Sequence, residues 1–334
     1  MFPEQATMEP EGVGRIIEAA EHSLSAAGVM GKPLVRLPSR KRTVFLGDTE
    51  GKTGLTKEVL GRYIEDADTT IVFLGDYIDR GPYQFENAFE LILGAMKAPG
   101  RVVLLRGNHE TEDCSPHDFP ERMRQKFGSV QGGSLYDRIM RFFAMLPLAA
   151  VVEGYFCAHG GIPDPVLTLT ELEGLKMGMV SMVRDLHVDD GPEIQLVWND
   201  PAPRNVLRNL NERGFLPNDR RGIGKYYGPQ AVTDFLSKNG LKGIIRGHGG
   251  ADSAIRTDFG ARVITINETG PDSSLNPWVQ GILHLEGGRL RAEIFSSRDD
   301  PYPEPTANEF AANAEKVVNE ELVRSVAPPN GVHR

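Results

Sequence analysis

Apolar residues return every three or four positions over 12–27. Val13, Ile16, Ile17, Ala20, Leu24 and Ala27 share one face and Gly28 ends the run, which predicts a packing helix. From Val44 the pattern changes to short continuous apolar runs: Val44–Leu46, Ile71–Leu74 and Val102–Leu105. Each is bounded by glycine, and helical stretches such as 56–64 and 85–96 lie between them. Strand, helix, strand in steps of about 30 residues is a βαβ series, which predicts a largely parallel sheet buried on both faces. Residues 115–150 read as helix and loop, and Val151 to Phe156 as two strands about a tight turn. The segment 163–240 is mixed, with a Pro/Asn/Arg-rich loop at 200–220. Strands return at 244–246 and 262–267, then as a hairpin, 281–285 with 290–295, turned by Gly287-Gly288. Past Asp299 the chain is Pro-rich, and Thr306 with Glu309 offers a capping box for a peripheral helix through Leu322. The expected organisation is an N-terminal helical lead-in (1–40), one large domain (41–300) and a tail (301–334).

The early strands end in three similar strings: Gly47-Asp48-Thr49-Glu50-Gly51, Gly75-Asp76-Tyr77-Ile78-Asp79-Arg80-Gly81 and Arg106-Gly107-Asn108-His109-Glu110. In a parallel sheet, ligands bind beyond the carboxyl ends of strands, so Asp48, Asp76 and Asn108 converge at one edge. Two later strand ends carry His159 in Cys157-Ala158-His159-Gly160-Gly161 and His248 in Arg246-Gly247-His248-Gly249-Gly250. Oxygen donors with two imidazoles suit hard or borderline divalent cations, and Asp76 is placed to bridge two of them. A two-metal centre suits phosphate-ester hydrolysis, because it activates water and neutralises the phosphoryl oxygens.

Composition narrows the partners. Lys+Arg is 37 against Asp+Glu 46, a net charge of −9, which disfavours non-specific nucleic-acid binding. A small phosphorylated substrate held by a few local cations remains compatible. Cys114 and Cys157 are the 2 cysteines, too few for a disulfide framework and not in a C-x-x-C pair, so a reducing compartment is expected. With no signal-peptide pattern and no long apolar stretch, no membrane association is expected, and the expected location is cytoplasmic. No oligomeric state is read from the sequence. His22, His117, His187, His284 and His333 lie in no motif and read as ordinary histidines.

The strings GDYIDRG, RGNHE, HGG and RGH, in this order and spacing, resemble the phosphoprotein phosphatase (PPP) family of metallophosphoesterases. Leu196 to Pro201 is similar to that family's Trp-x-Asp-Pro segment, and Asn218 to Gly222 to the segment supplying a second phosphate-binding arginine. The resemblance runs from about Gly47 to Asn267. It implies an α/β metallophosphoesterase fold: a central β-sandwich flanked by helices, with a di-metal site at the strand C-terminal ends. It further implies metal-dependent hydrolysis of phosphoserine and phosphothreonine in proteins, by direct attack of a metal-bound water.

By motif match, Asp48, Asp76, Asn108, His159 and His248 are implied metal ligands. His109 is the implied general acid, oriented by Asp79, and Arg80, Arg221 and Asn108 bind the phosphoryl group. A positioned imidazolium suits a poor alkoxide leaving group, and the guanidinium fork suits phosphate. The sequence departs from the family in three places. Glu50 stands where the first motif normally has a metal-binding histidine; it is read as a ligand favouring Mn²⁺, against the alternative of a solvated loop acid. Thr265 to Gly270 replaces the usual Ser-Ala-Pro-Asn-Tyr-Cys, removing a tyrosine near the phosphate. Gly249-Gly250 replaces the second histidine of diesterase relatives, which favours monoesters. Two other functions remain open at this point: a diadenosine-tetraphosphate hydrolase on the same scaffold, disfavoured by Asp79, and an inactive phosphoprotein-binding module.

Overall fold

The apolar runs before the three strings form strands Arg42–Leu46, Thr69–Phe73 and Val102–Leu104. The computed structural model describes residues 9–111, 114, 117–177, 191–249, 253–269 and 279–296. In it the three strands pair in parallel, Val44 beside Ile71 and Ile71 beside Val102. Parallel strands need crossovers, here the helices Thr53–Tyr63 and Gln84–Lys97. Val279–Glu286 joins antiparallel to Arg42–Leu46, with Arg289–Ser296 and Glu268–Thr269 beside it. Val44, Phe45 and Leu46 are all buried because both faces of this sheet are covered.

A second sheet runs in the order Leu34–Arg36, Ala149–Val152, Tyr155–Ala158, Gly243–Arg246, Val263–Ile266 and Ile255–Asp258. Its side chains alternate between two cores, as the two-residue period of a strand requires. Ala150, Cys157, Ile245 and Ile264 face inward and share a core with Val44, Ile71 and Val103 of the first sheet. Ala149, Phe156, Ile244 and Val263 face outward, against Val232 and Phe235 of helix Pro229–Asn239 and against Trp198. The result is the β-sandwich flanked by helices that the motifs imply. Each fully buried Phe or Leu side chain contributes about 1.5–3 kcal/mol, and this double core fixes the strand ends that carry the site.

Helices Pro10–Ala26, Phe119–Phe127 and Ser129–Ala144 complete the inner core through Val13, Ile17, Phe119, Ile139 and Phe143. Two strands of the second sheet escape the sequence pattern. Leu34–Arg36 is only three residues long, and Ile255–Asp258 reads Ile-Arg-Thr-Asp, with no apolar run. The stretch 200–220 is not wholly loop. Asp200–Pro201 and Phe215–Pro217 sandwich Lys225–Tyr227 in a small third sheet. The helix expected from Thr306 lies outside the described residues. Among the described residues, no helix is long and apolar enough to cross a membrane.

Candidate active site

The strand ends meet at one edge, and the backbone there is contorted. Eight non-glycine residues have positive φ among those described, and five belong to the strand-end strings: Glu50, Asp76, Asp79, Arg80 and His248. Such backbone costs on the order of 1–3 kcal/mol per residue and persists only where the surroundings over-determine it. The glycines allow the strings to close on each other. A Cβ on Gly107 would fall 2.3 Å from Asp76 Oδ1, and one on Gly47 would fall 2.2 Å from the Ile266 carbonyl oxygen.

Five of the predicted residues gather around Asp76, itself a sixth. Ligand atoms of Asp48, Glu50 and Asp76 lie within 4.8 Å of one another, and so do those of Asp76, His159 and His248. All five side chains are buried. His159 Nε2 stands 3.2 Å from Asp76 Oδ2, 2.8 Å from Asn108 Oδ1 and 3.1 Å from His248 Nδ1, while its Nδ1 donates to the Leu74 carbonyl at 3.0 Å. Asp48 Oδ1 accepts the His248 backbone N–H at 3.0 Å.

The electrostatics fit cations that the two clusters share through Asp76. Burial pushes the Asp48 carboxyl above its ordinary pKa. Burial opposes the Asp76 charge too, but His159 and His109 outweigh it and hold that carboxyl at about 2. Burial, with Arg221 close by, puts His248 well below the ordinary imidazole value, so it stays in the neutral form that ligates metal. Its Nε2 is buried with no hydrogen-bond partner. Oxygen-rich on one side and imidazole-bearing on the other, these donor sets are those of divalent cations.

A second unit lies beside the clusters. His109 Nδ1 sits 2.7 Å from Asp79 Oδ2, its backbone N–H donates to Asp76 Oδ1 at 3.0 Å, and its Nε2 is 4.0 Å from Asp76 Oδ2. Burial disfavours the His109 cation, but Asp76 and the hydrogen bond to Asp79 raise its pKa well above the ordinary value. Burial likewise opposes charge on Asp79, whose hydrogen bonds with His109 and His117 keep its pKa below the usual carboxylate range.

The two predicted phosphate arginines already hold carboxylates. Arg80 pairs with Glu50 and lies 3.1 Å from His109 Nε2. Arg221 holds Asp200 through Nε at 2.5 Å and Nη2 at 3.3 Å, and reaches the His248 carbonyl at 3.5 Å. Arg246 is buried and donates to the same Asp200 at 3.0 Å and the same carbonyl at 2.8 Å. Glu50, for which a solvated loop acid was the alternative reading, has a side chain 11% exposed, paired with Arg80 and 3.7 Å from Lys52 Nζ.

Three further residues serve the site without having been marked by sequence. Glu110 accepts the backbone N–H groups of Asp76 (2.8 Å), Tyr77 (2.8 Å) and Gly107 (2.9 Å), tying the second string to the third. Burial and the neighbouring Asp76 push its carboxyl up to about 7. Glu110→Gln presents an N–H₂ to one of these donors, so unfolding should become easier by about 1–3 kcal/mol. An unchanged urea midpoint would show that the strand ends do not depend on this carboxylate. Cys114 accepts from Asn108 Nδ2 at 3.1 Å. His117, read from sequence as ordinary, bonds Asp79, and its only sequence signal was its nearness to the third string.

A family profile described as calcineurin-like phosphoesterase matches residues 41–249. A probable serine/threonine-protein phosphatase of Encephalitozoon cuniculi is 30% identical over 235 residues, 70% of this chain and 48% of that one. Serine/threonine-protein phosphatase 7 of Arabidopsis thaliana is 34% identical over 54% of this chain and 48% of its own length. The serine/threonine-protein phosphatase 6 catalytic subunit of Drosophila melanogaster is 27% identical over 69% of this chain and 71% of its own. The chain thus spans about half the length, 48%, of the first of these relatives. Among solved structures, a Saccharomyces cerevisiae serine/threonine phosphatase with similarity to human phosphatase PP5 superposes with a TM-score of 0.70 at 23% identity, covering 89% of this chain and 93% of that one. A cold-active protein-tyrosine phosphatase of a Shewanella species gives 0.52 at 19% identity, covering 78% and 82%. At these identities the structural matches speak for the fold.

Proposed function

The chain belongs to the calcineurin-like phosphoesterase family, and on that premise we propose that it is a metal-dependent serine/threonine protein phosphatase. The observation that carries this reading is the adjacency of two units: paired donor clusters sharing Asp76, and His109 backed by Asp79. The curated relatives' names support protein phosphomonoesters as the substrate class. Two free, buried cysteines accord with a cytoplasmic location.

Asp48, Glu50 and Asp76 would hold one cation; Asp76, His159, His248 and Asn108 would hold the other. Such a pair, when bound, supplies Lewis acidity toward the phosphoryl oxygens and acidifies water. The remaining work falls to the chain's own side chains. Arg80 exchanges Glu50 for a phosphoryl oxygen, and Arg221 reaches the same group from the His248 side; a planar fork is suited to both contacts. His109, held by Asp79, delivers its proton from Nε2 to the leaving alkoxide.

Phosphate release from phosphoserine peptides, with Mn²⁺ present, tests the proposal. A protein that released none, or that turned over diadenosine tetraphosphate in preference, would overturn it. Metal preference gives a finer test. The carboxylate cluster favours hard ions, so activation by Mn²⁺ should exceed that by Zn²⁺ or Ni²⁺. Glu50→His should shift the preference toward Zn²⁺ and Ni²⁺. If Glu50→Ala leaves metal affinity and rate unchanged, Glu50 serves Arg80 alone.

A further inference from the structure

We propose that His117, backed by Tyr136, is a positioning residue that fixes the Asp79 carboxylate against His109. The inference rests on the phosphatase reading above and extends it to a side chain outside the motifs. Asp79 is fully buried and its carboxylate receives four donors. Oδ1 takes the backbone N–H groups of Asp118 at 3.0 Å and Phe119 at 3.1 Å, at the start of helix Phe119–Phe127. Oδ2 takes His109 Nδ1 at 2.7 Å and His117 Nδ1 at 2.9 Å. The main chain therefore anchors one oxygen, and the oxygen that faces the general acid is anchored by His117.

The tautomer follows from the partners. An ionised carboxylate only accepts, so His117 Nδ1 must carry hydrogen. In the neutral ring Nε2 then accepts from the Tyr136 hydroxyl, 3.0 Å away on helix Ser129–Ala144. The Tyr136 ring also packs against both His117 and Phe119. Asp79 itself sits at φ 65°, a conformation that needs outside support. His117 links that strained residue to a long helix of the inner core.

A residue acting through Asp79 should affect only reactions that need the His109 proton. His117→Ala should lower kcat on a phosphoserine peptide by about 10- to 100-fold, the range for partners that orient an active group. KM should change little, and p-nitrophenyl phosphate, whose leaving group hardly needs a proton, should lose much less. His117→Asn places an amide N–H where Nδ1 stood and should recover most of the phosphoserine rate. His117→Gln reaches toward the Nε2 position instead and should not. Tyr136→Phe should show a milder version of the same split between the two esters. Melting temperature and metal content confirm that each variant is folded and loaded; if His117→Ala does not fold, the Asn/Gln pair decides. Equal losses on both esters, a loss confined to KM, or Asn and Gln behaving alike would overturn the proposal. A wild-type protein silent on both esters would instead sink the phosphatase reading, and this inference with it.

Discussion

Asp76→Asn should cost the protein both metal equivalents and bring phosphoserine hydrolysis down by about 10³-fold or more. The side chain belongs to both donor clusters, so losing its charge weakens two sites at once. Its carboxyl, held at about 2 by His159 and His109, is fully ionised at neutral pH, and the neutral amide removes a whole charge. Metal ions in such centres supply several kcal/mol of transition-state stabilisation, and each ~1.4 kcal/mol is a factor of ten. Asparagine preserves the shape and keeps an oxygen to accept the His109 N–H, so the fold should survive. Asp48→Asn provides the contrast, because it touches one cluster and should lose nearer one equivalent. Elemental analysis of the dialysed proteins reads the difference directly. Two equivalents retained by Asp76→Asn would remove Asp76 from the bridging position.

Most of this candidate site is legible in the sequence, for a physical reason. A ligand edge of a parallel sheet is written as an apolar run, a glycine and a polar side chain. Asp48, Asp76, Asn108 and His248 follow that grammar, and His159 varies it by leaving its strand directly, with the glycines after it. The run pattern alone points to strands such as Gly243–Arg246 and to a parallel sheet, whereas the sandwich was implied by the resemblance of the motifs. Pairings set by loops were not legible. Nothing in the spacing says that Glu50 holds Arg80, that Asp200 holds both Arg221 and Arg246, or that His117 bonds Asp79. Leu34–Arg36 and Ile255–Asp258 were missed for a related reason: neighbours already in the sheet stabilise them, not their own pattern.

His109→Ala should lower kcat on phosphoserine by about 10²- to 10⁴-fold, the span for a positioned general acid. The alkoxide of serine leaves poorly without a proton, whereas p-nitrophenolate leaves readily, so the second substrate should lose much less. KM should stay near its wild-type value, because proton donation acts in the transition state. Equal losses on the two esters would argue that His109 binds substrate through the Arg80 side of the cleft, 3.1 Å from its Nε2, and does not donate. This variant also sets the ceiling for His117, whose effect runs through Asp79 and the same proton. On phosphoserine, the double variant His109→Ala/His117→Ala should therefore be no slower than His109→Ala alone. That non-additivity is what a shared network predicts. If the two losses multiplied, His117 would be acting by a route that bypasses the dyad.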